Sequence, residues 1–121
     1  RPRGVQPLSA FMEKDEELSV ADHIMHFTDP NRISRGEKIS DDELRIEKSS
    51  NEVLQGKIRG YFIDIDLNRN VIKHDCDDWR KGRQNKRMCK HMVKFFMSLP
   101  PGQAKRVLER IWVDLDGWVF E

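Results

Sequence analysis

His74-Asp75-Cys76 and Cys89-Lys90-His91 are the residues of this chain whose types and spacing could do chemistry: two pairs of soft ligands, each enclosing one residue, with twelve residues between the pairs. Zinc favours four tetrahedral ligands drawn from thiolate and imidazole, and a two-plus-two set fills every position and leaves none for an activated water. The chemistry implied is structural rather than catalytic. Core histidines and thiols without metal, or a disulfide, are the plain alternatives for the same residues. Two cysteines in a chain with no signal-peptide h-region point to a reducing compartment, where thiols serve metals more often than disulfides. Asp75, Asp77 and Asp78 are further oxygen ligands that could stand in for His74.

The pairs need elements that converge. Tyr61 to Leu67 alternates, with Tyr61, Ile63, Ile65 and Leu67 on one face and Asp64 and Asp66 on the other, which is a half-buried strand. Asn68-Arg69-Asn70 is turn chemistry, so Val71 to Asp75 is expected to pair back and deliver His74 and Cys76 at the hairpin's far end. Two earlier strands are expected over Glu43–Ser49 and Val53–Arg59. After a polar loop, Met88, Met92, Val93, Phe95, Phe96 and Leu99 give an apolar side to a helix that begins at the second ligand pair and stops at Pro100-Pro101-Gly102. A helix near the amino end, capped by Ser19 with Asp22 and ended by Asp29-Pro30, is followed by a Gly- and Ser-punctuated connection over residues 31–40. A last helix, Gln103–Val113, buries Ala104, Val107, Leu108 and Ile111, and Trp118 and Phe120 fold back over the core. The fold class is therefore α+β: a small antiparallel sheet with a zinc-clamped hairpin followed by two helices. Its expected divisions are a flexible acidic lead-in over 1–18, a helix and connection over 19–52, a zinc module over 53–99, and a closing helix and tail over 100–121.

His-x-Cys, then Cys-Lys-His leading into an apolar helix, resembles the SWIM-type zinc finger, whose usual pattern is Cys-x-Cys, a variable loop and Cys-x-His. The likeness covers roughly Val53 to Leu99, including Trp79 in the loop, and departs where His74 stands for the family's first cysteine. It implies one structural zinc ion held by His74, Cys76, Cys89 and His91, worth about 10–16 kcal/mol of apparent binding free energy in comparable sites. SWIM-type domains bind DNA or other proteins, often as appendages of proteins of DNA metabolism, so the resemblance implies one of these partners.

Composition is consistent with such a clamp. The chain has 121 residues, 37% hydrophobic and 36% charged, a thin supply for a core without a staple. The net charge of +1 hides segregation. Arg80, Lys81, Arg83, Lys86, Arg87, Lys90 and Lys94 follow one another with no carboxylate among them, and with Trp79 they form a set that could contact phosphates and stack on a base. Lys105 and Arg106 could widen that face. A solvated face is the alternative for the cations, and a buried lid over the zinc site the alternative for Trp79. Nucleic acid, DNA in preference to RNA, is the expected partner; docking to a protein of a replication, repair or recombination assembly is the rival. Two lesser readings are set aside. His23 and His26 have a metal-compatible spacing but suit an ordinary amphipathic helix, and Asp64 and Asp66 suit the polar side of a strand better than a nuclease's carboxylate cluster. No bilayer-spanning segment and no small-molecule substrate are expected, and the site of action is expected to be intracellular. The start at Arg1-Pro2 without an initiator Met is expected of a piece of a longer protein.

Overall fold

A computed structural model of the chain describes residues 18–121. The lead-in expected over 1–18 lies outside it except for Leu18, which is exposed. Four strands form an antiparallel meander: β1 (Leu44–Ser49), β2 (Val53–Ile58), β3 (Tyr61–Asp66) and β4 (Val71–His74). A two-residue strand, β5 (Val119–Phe120), joins the edge beside β4 and runs parallel to it. The helices are α1 (Val20–Ile24), α2 (Pro30–Glu37), α3 (Asp77–Gly82), α4 (Lys90–Ser98) and α5 (Pro101–Val113). The architecture is α+β, and β5 makes the sheet mixed rather than purely antiparallel.

Local chemistry sets the hairpins. Ile58 pairs with Tyr61 across Arg59-Gly60, both at positive φ (51° and 83°), as a two-residue turn matched to strand twist requires. At the next turn the Asp66 carboxylate accepts the amides of Asn68 and Arg69 at 2.9 and 3.0 Å, and Asn70 takes φ 59°. Alternation then puts Leu54 and Ile58, Ile63 and Ile65, and Ile72 into the core. The opposite face carries Lys57, Phe62 and Lys73 in solvent.

Asp29-Pro30 does not simply end a helix. Asp29 is the N-cap of α2, accepting from the Arg32 amide at 2.9 Å, with Pro30 at the first helical position, where its missing N–H costs nothing. The residues expected to be a connection are thus largely helix. That helix buries Ile33 and Gly36 and packs on α4. The approach is so close that a Cβ on Gly36 would lie 2.7 Å from Val93 Cβ and 2.8 Å from the Lys90 carbonyl oxygen. Gly36→Ala should therefore lower stability by about 1–2 kcal/mol, because overpacking outweighs the better helix propensity of Ala. An unchanged urea midpoint in that variant would show that α2 does not sit against α4.

One cluster of buried side chains runs from Ile24 and Phe27 through the sheet to Met92, Phe95 and Phe96 of α4, Leu108 and Ile111 of α5, and Trp118 and Phe120. No helix among the described residues is long and apolar enough to cross a membrane.

Candidate metal centre

The end of β4 and the entrance to α4 meet at one point. His74 is the last residue of β4, and Cys76, two residues on, caps α3; Cys89 caps α4, and His91 lies in its first turn. One ligand atom from each of the four side chains lies within 4.8 Å of every other, and all four residues are buried. Bonds of about 2.0–2.3 Å to a tetrahedral zinc would place ligand atoms roughly 3.3–3.8 Å apart. Cys89 Sγ and His91 Nδ1, at 3.9 Å, are already near that spacing.

Both sulfurs stand at helix N-termini, where unpaired amides favour thiolate. Cys76 Sγ accepts the Trp79 amide at 3.4 Å, whereas Cys89 makes no side-chain capping bond and keeps its sulfur for the centre. The Cys76 thiol is held far below the ordinary thiol range, chiefly by hydrogen bonding from Cys89 and with help from the Trp79 amide, against the opposing effect of burial. Burial pushes the Cys89 thiol up, and the Cys76 sulfur beside it pushes it further. A dication is the partner that makes two buried thiolates stable together.

The imidazoles are oriented for the same purpose. His74 Nδ1 lies 2.5 Å from the Phe62 carbonyl oxygen, which can only accept, so Nδ1 carries the proton. Nε2 is then a free lone pair, buried and without any hydrogen-bond partner. An orphaned buried acceptor on a residue grouped with two thiols and another imidazole fits a metal ion. Tyr61 tilts against His91 at 5.2 Å between ring centroids, and Trp79 meets His74 edge-on at 5.8 Å, closing the sides of the centre. These four residues are placed to hold a metal ion.

The alternative ligands lie elsewhere. Asp75 Oδ1 accepts the Phe62 amide at 3.0 Å, Asp77 is exposed, and Asp78 receives both Arg32 (2.7 and 2.8 Å) and Arg87 (3.0 Å). His26 stacks on Trp112 at 4.4 Å, and His23 on α1 joins no metal-binding group among the described residues. Asp64 faces Gln55 at 3.4 Å and Asp66 caps the hairpin turn, so both carboxylates serve the sheet.

The basic segment needs correction. Between the ligand pairs runs not a loop but α3 and a 3-10 turn, Arg83–Asn85. Trp79 is fully buried, stacked on Phe120 at 5.1 Å, with Nε1 donating to the Glu121 carbonyl at 2.7 Å. It is the lid and cannot stack on a base. Lys86 donates to the carbonyls of Leu115 (2.6 Å) and Trp118, Arg87 pairs with Asp78, and buried Lys94 bonds Asp41 at 2.5 Å. These three cations bind the chain's own oxygens and are withdrawn from any phosphate-contacting set. Arg80, Lys81 and Arg83 are exposed and Lys90 is half-buried. Phe62 and Glu121 work through main-chain atoms and carry no compositional signal in the sequence. The chain matches no known family model, no curated protein and no solved structure.

Proposed function

We propose that this chain is a non-catalytic module of SWIM type, stabilised by one structural zinc ion, that binds nucleic acid, DNA in preference to RNA, within a protein or complex of DNA metabolism. The observation that carries the zinc reading is the closure of His74, Cys76, Cys89 and His91 around a single point. Two thiolates and two imidazoles make a donor set suited to zinc, and four protein ligands leave no position for substrate or water. The zinc clamps hairpin to helix in a chain whose apolar content is low. Supporting the nucleic-acid reading are Arg80, Lys81 and Arg83, which project from the segment the metal ties down at both ends. Cations anchored on a rigid turn lose little freedom when they meet phosphates.

A protein-docking reading has one observation of its own. Trp112, Val113, Met25 and Leu18 are exposed beside one another's elements at the α1–α5 end of the molecule, with Trp112 43% and Val113 73% accessible. Fluorescence-anisotropy titration of the zinc-loaded protein against single-stranded DNA, duplex DNA and RNA oligonucleotides separates the two. Binding should weaken steeply between about 50 and 200 mM salt. Replacing Arg80, Lys81 and Arg83 with Ala should flatten the log K against log salt slope by about 2–3, near one per lost phosphate contact. Absence of binding to all three oligonucleotides at the lower salt would sink the nucleic-acid reading and leave docking.

A further inference from the structure

Asp75, the residue inside the first ligand pair, turns away from the metal centre, and what it holds explains how His74 is aimed. The β3–β4 ladder pairs Ile63 with His74 and ends there. Continued by one rung, it would place Phe62 opposite Asp75, with the Phe62 N–H and C=O both needing partners. The chain must instead bend so that Cys76 can start α3 and present its sulfur. Two side chains replace the missing rung: the Phe62 N–H donates to Asp75 Oδ1 at 3.0 Å, and the Phe62 carbonyl accepts from His74 Nδ1 at 2.5 Å. The same residue's main chain is thus gripped from both sides by consecutive side chains of the ligand motif. His74 Nε2, the ring's other nitrogen, is buried and unpaired.

We propose that Asp75 is a positioning residue for the metal centre: by holding Phe62 it keeps the His74 ring in the tautomer and orientation that present Nε2, and not Nδ1, to the ion. The inference rests on the metal-centre reading above and adds how the site is pre-organised. Asp is suited to the task because its short carboxylate reaches the facing amide while its own backbone is already leaving the strand. A longer Glu would have to fold back to do so, and an apolar residue would leave a strand amide without a partner beside the centre. Outer partners of ligating histidines typically govern metal affinity by about 10–100-fold.

The test compares wild type, Asp75→Ala, Asp75→Leu and Asp75→Asn, the last keeping an oxygen acceptor. Zinc affinity is read by competition with a chromophoric chelator, and the state of His74 by its ring 15N chemical shifts. Asp75→Ala and Asp75→Leu should bind zinc about 10–100-fold more weakly and lose the pattern of a protonated Nδ1 with a metal-bound Nε2. Asp75→Asn should restore both to within about threefold of wild type. Affinity unchanged in the Ala and Leu variants overturns the proposal. So does weakened affinity with the His74 pattern intact, since that would mean general hairpin support only. If wild type itself takes up no zinc, the metal reading fails separately. The positioning role is then judged on the metal-free chain: a protonated His74 Nδ1 lost in Asp75→Ala supports it, and a pattern indifferent to the substitution removes it.

Discussion

Replacing Cys89 with Ala is expected to leave the protein without stoichiometric zinc and to lower its melting temperature by about 12–20 °C. The size follows from mass action. A metal present at about a thousand times its dissociation constant contributes about 4 kcal/mol to the folded state, and a domain of this size shifts by about 3–5 °C per kcal/mol. Cys89 is the right residue to remove because its sulfur makes no capping bond and is fully buried, so Ala deletes a ligand without uncapping α4. The damage should spread along a specific path. The Met88 amide, just before Cys89, donates to the Phe27 carbonyl at 2.7 Å, and Thr28 Oγ1 donates to the Met88 carbonyl at 2.9 Å. Loosening the α4 entrance therefore frees the turn after α1 as well. Near-ultraviolet circular dichroism, with zinc measured by mass spectrometry on the same sample, checks both effects. Zinc retained together with a wild-type melt would mean that Cys89 is a core thiol and nothing more.

The second large effect belongs to Trp79. Trp79→Ala should destabilise the fold by about 3–5 kcal/mol, the usual cost of emptying a large aromatic site in a core. Three contacts are lost together: the stack on Phe120, the 2.7 Å bond from Nε1 to the Glu121 carbonyl, and the edge against His74. The second of these ties the carboxyl-terminal strand to the metal centre, because the Glu121 carbonyl also accepts the His74 amide at 3.2 Å. β5 should therefore fray first, which amide hydrogen exchange at Val119 and Glu121 would report. Trp79→Phe, which keeps a ring to stack but loses the donor, should cost clearly less. A Trp79→Ala protein with unchanged stability and weaker oligonucleotide binding would restore the base-stacking role that burial argues against.

Which parts of this molecule were legible in its sequence follows from the range of the interactions involved. The grouping of His74, Cys76, Cys89 and His91 was legible because a candidate metal site writes itself into residue type and spacing, and β3 because period-two alternation is a local property of one buried face. The stripe of Ala104, Val107, Leu108 and Ile111 was legible for the same reason at helical period. What escaped depended on partners far along the chain. β5 is two residues long and exists by pairing with β4 through the Asn70 and Ile72 carbonyls. The α2 helix was obscured because Asp29-Pro30 reads equally as a stop and as an N-cap with its first residue. Its one glycine, which lowers helix propensity, is there for contact with Val93. In α3 the signal was electrostatic rather than apolar, with Asp77 and Asp78 in the first turn and Arg80 and Lys81 in the last, a distribution that suits the helix dipole. The cations show the sharpest limit. Lys86 and Lys94 look the same in sequence as Lys81, yet the first two end on oxygens supplied by residues 115, 118 and 41, while Lys81 remains in solvent.

X-ray absorption at the zinc edge, on protein purified without added metal and with total metal content determined in parallel, addresses the central claim most directly. One zinc per chain, with two sulfurs at about 2.3 Å and two nitrogens at about 2.0–2.1 Å, is the predicted result. A natively folded protein carrying no metal, or a zinc whose nearest neighbours include oxygen in place of a sulfur or an imidazole nitrogen, would contradict it.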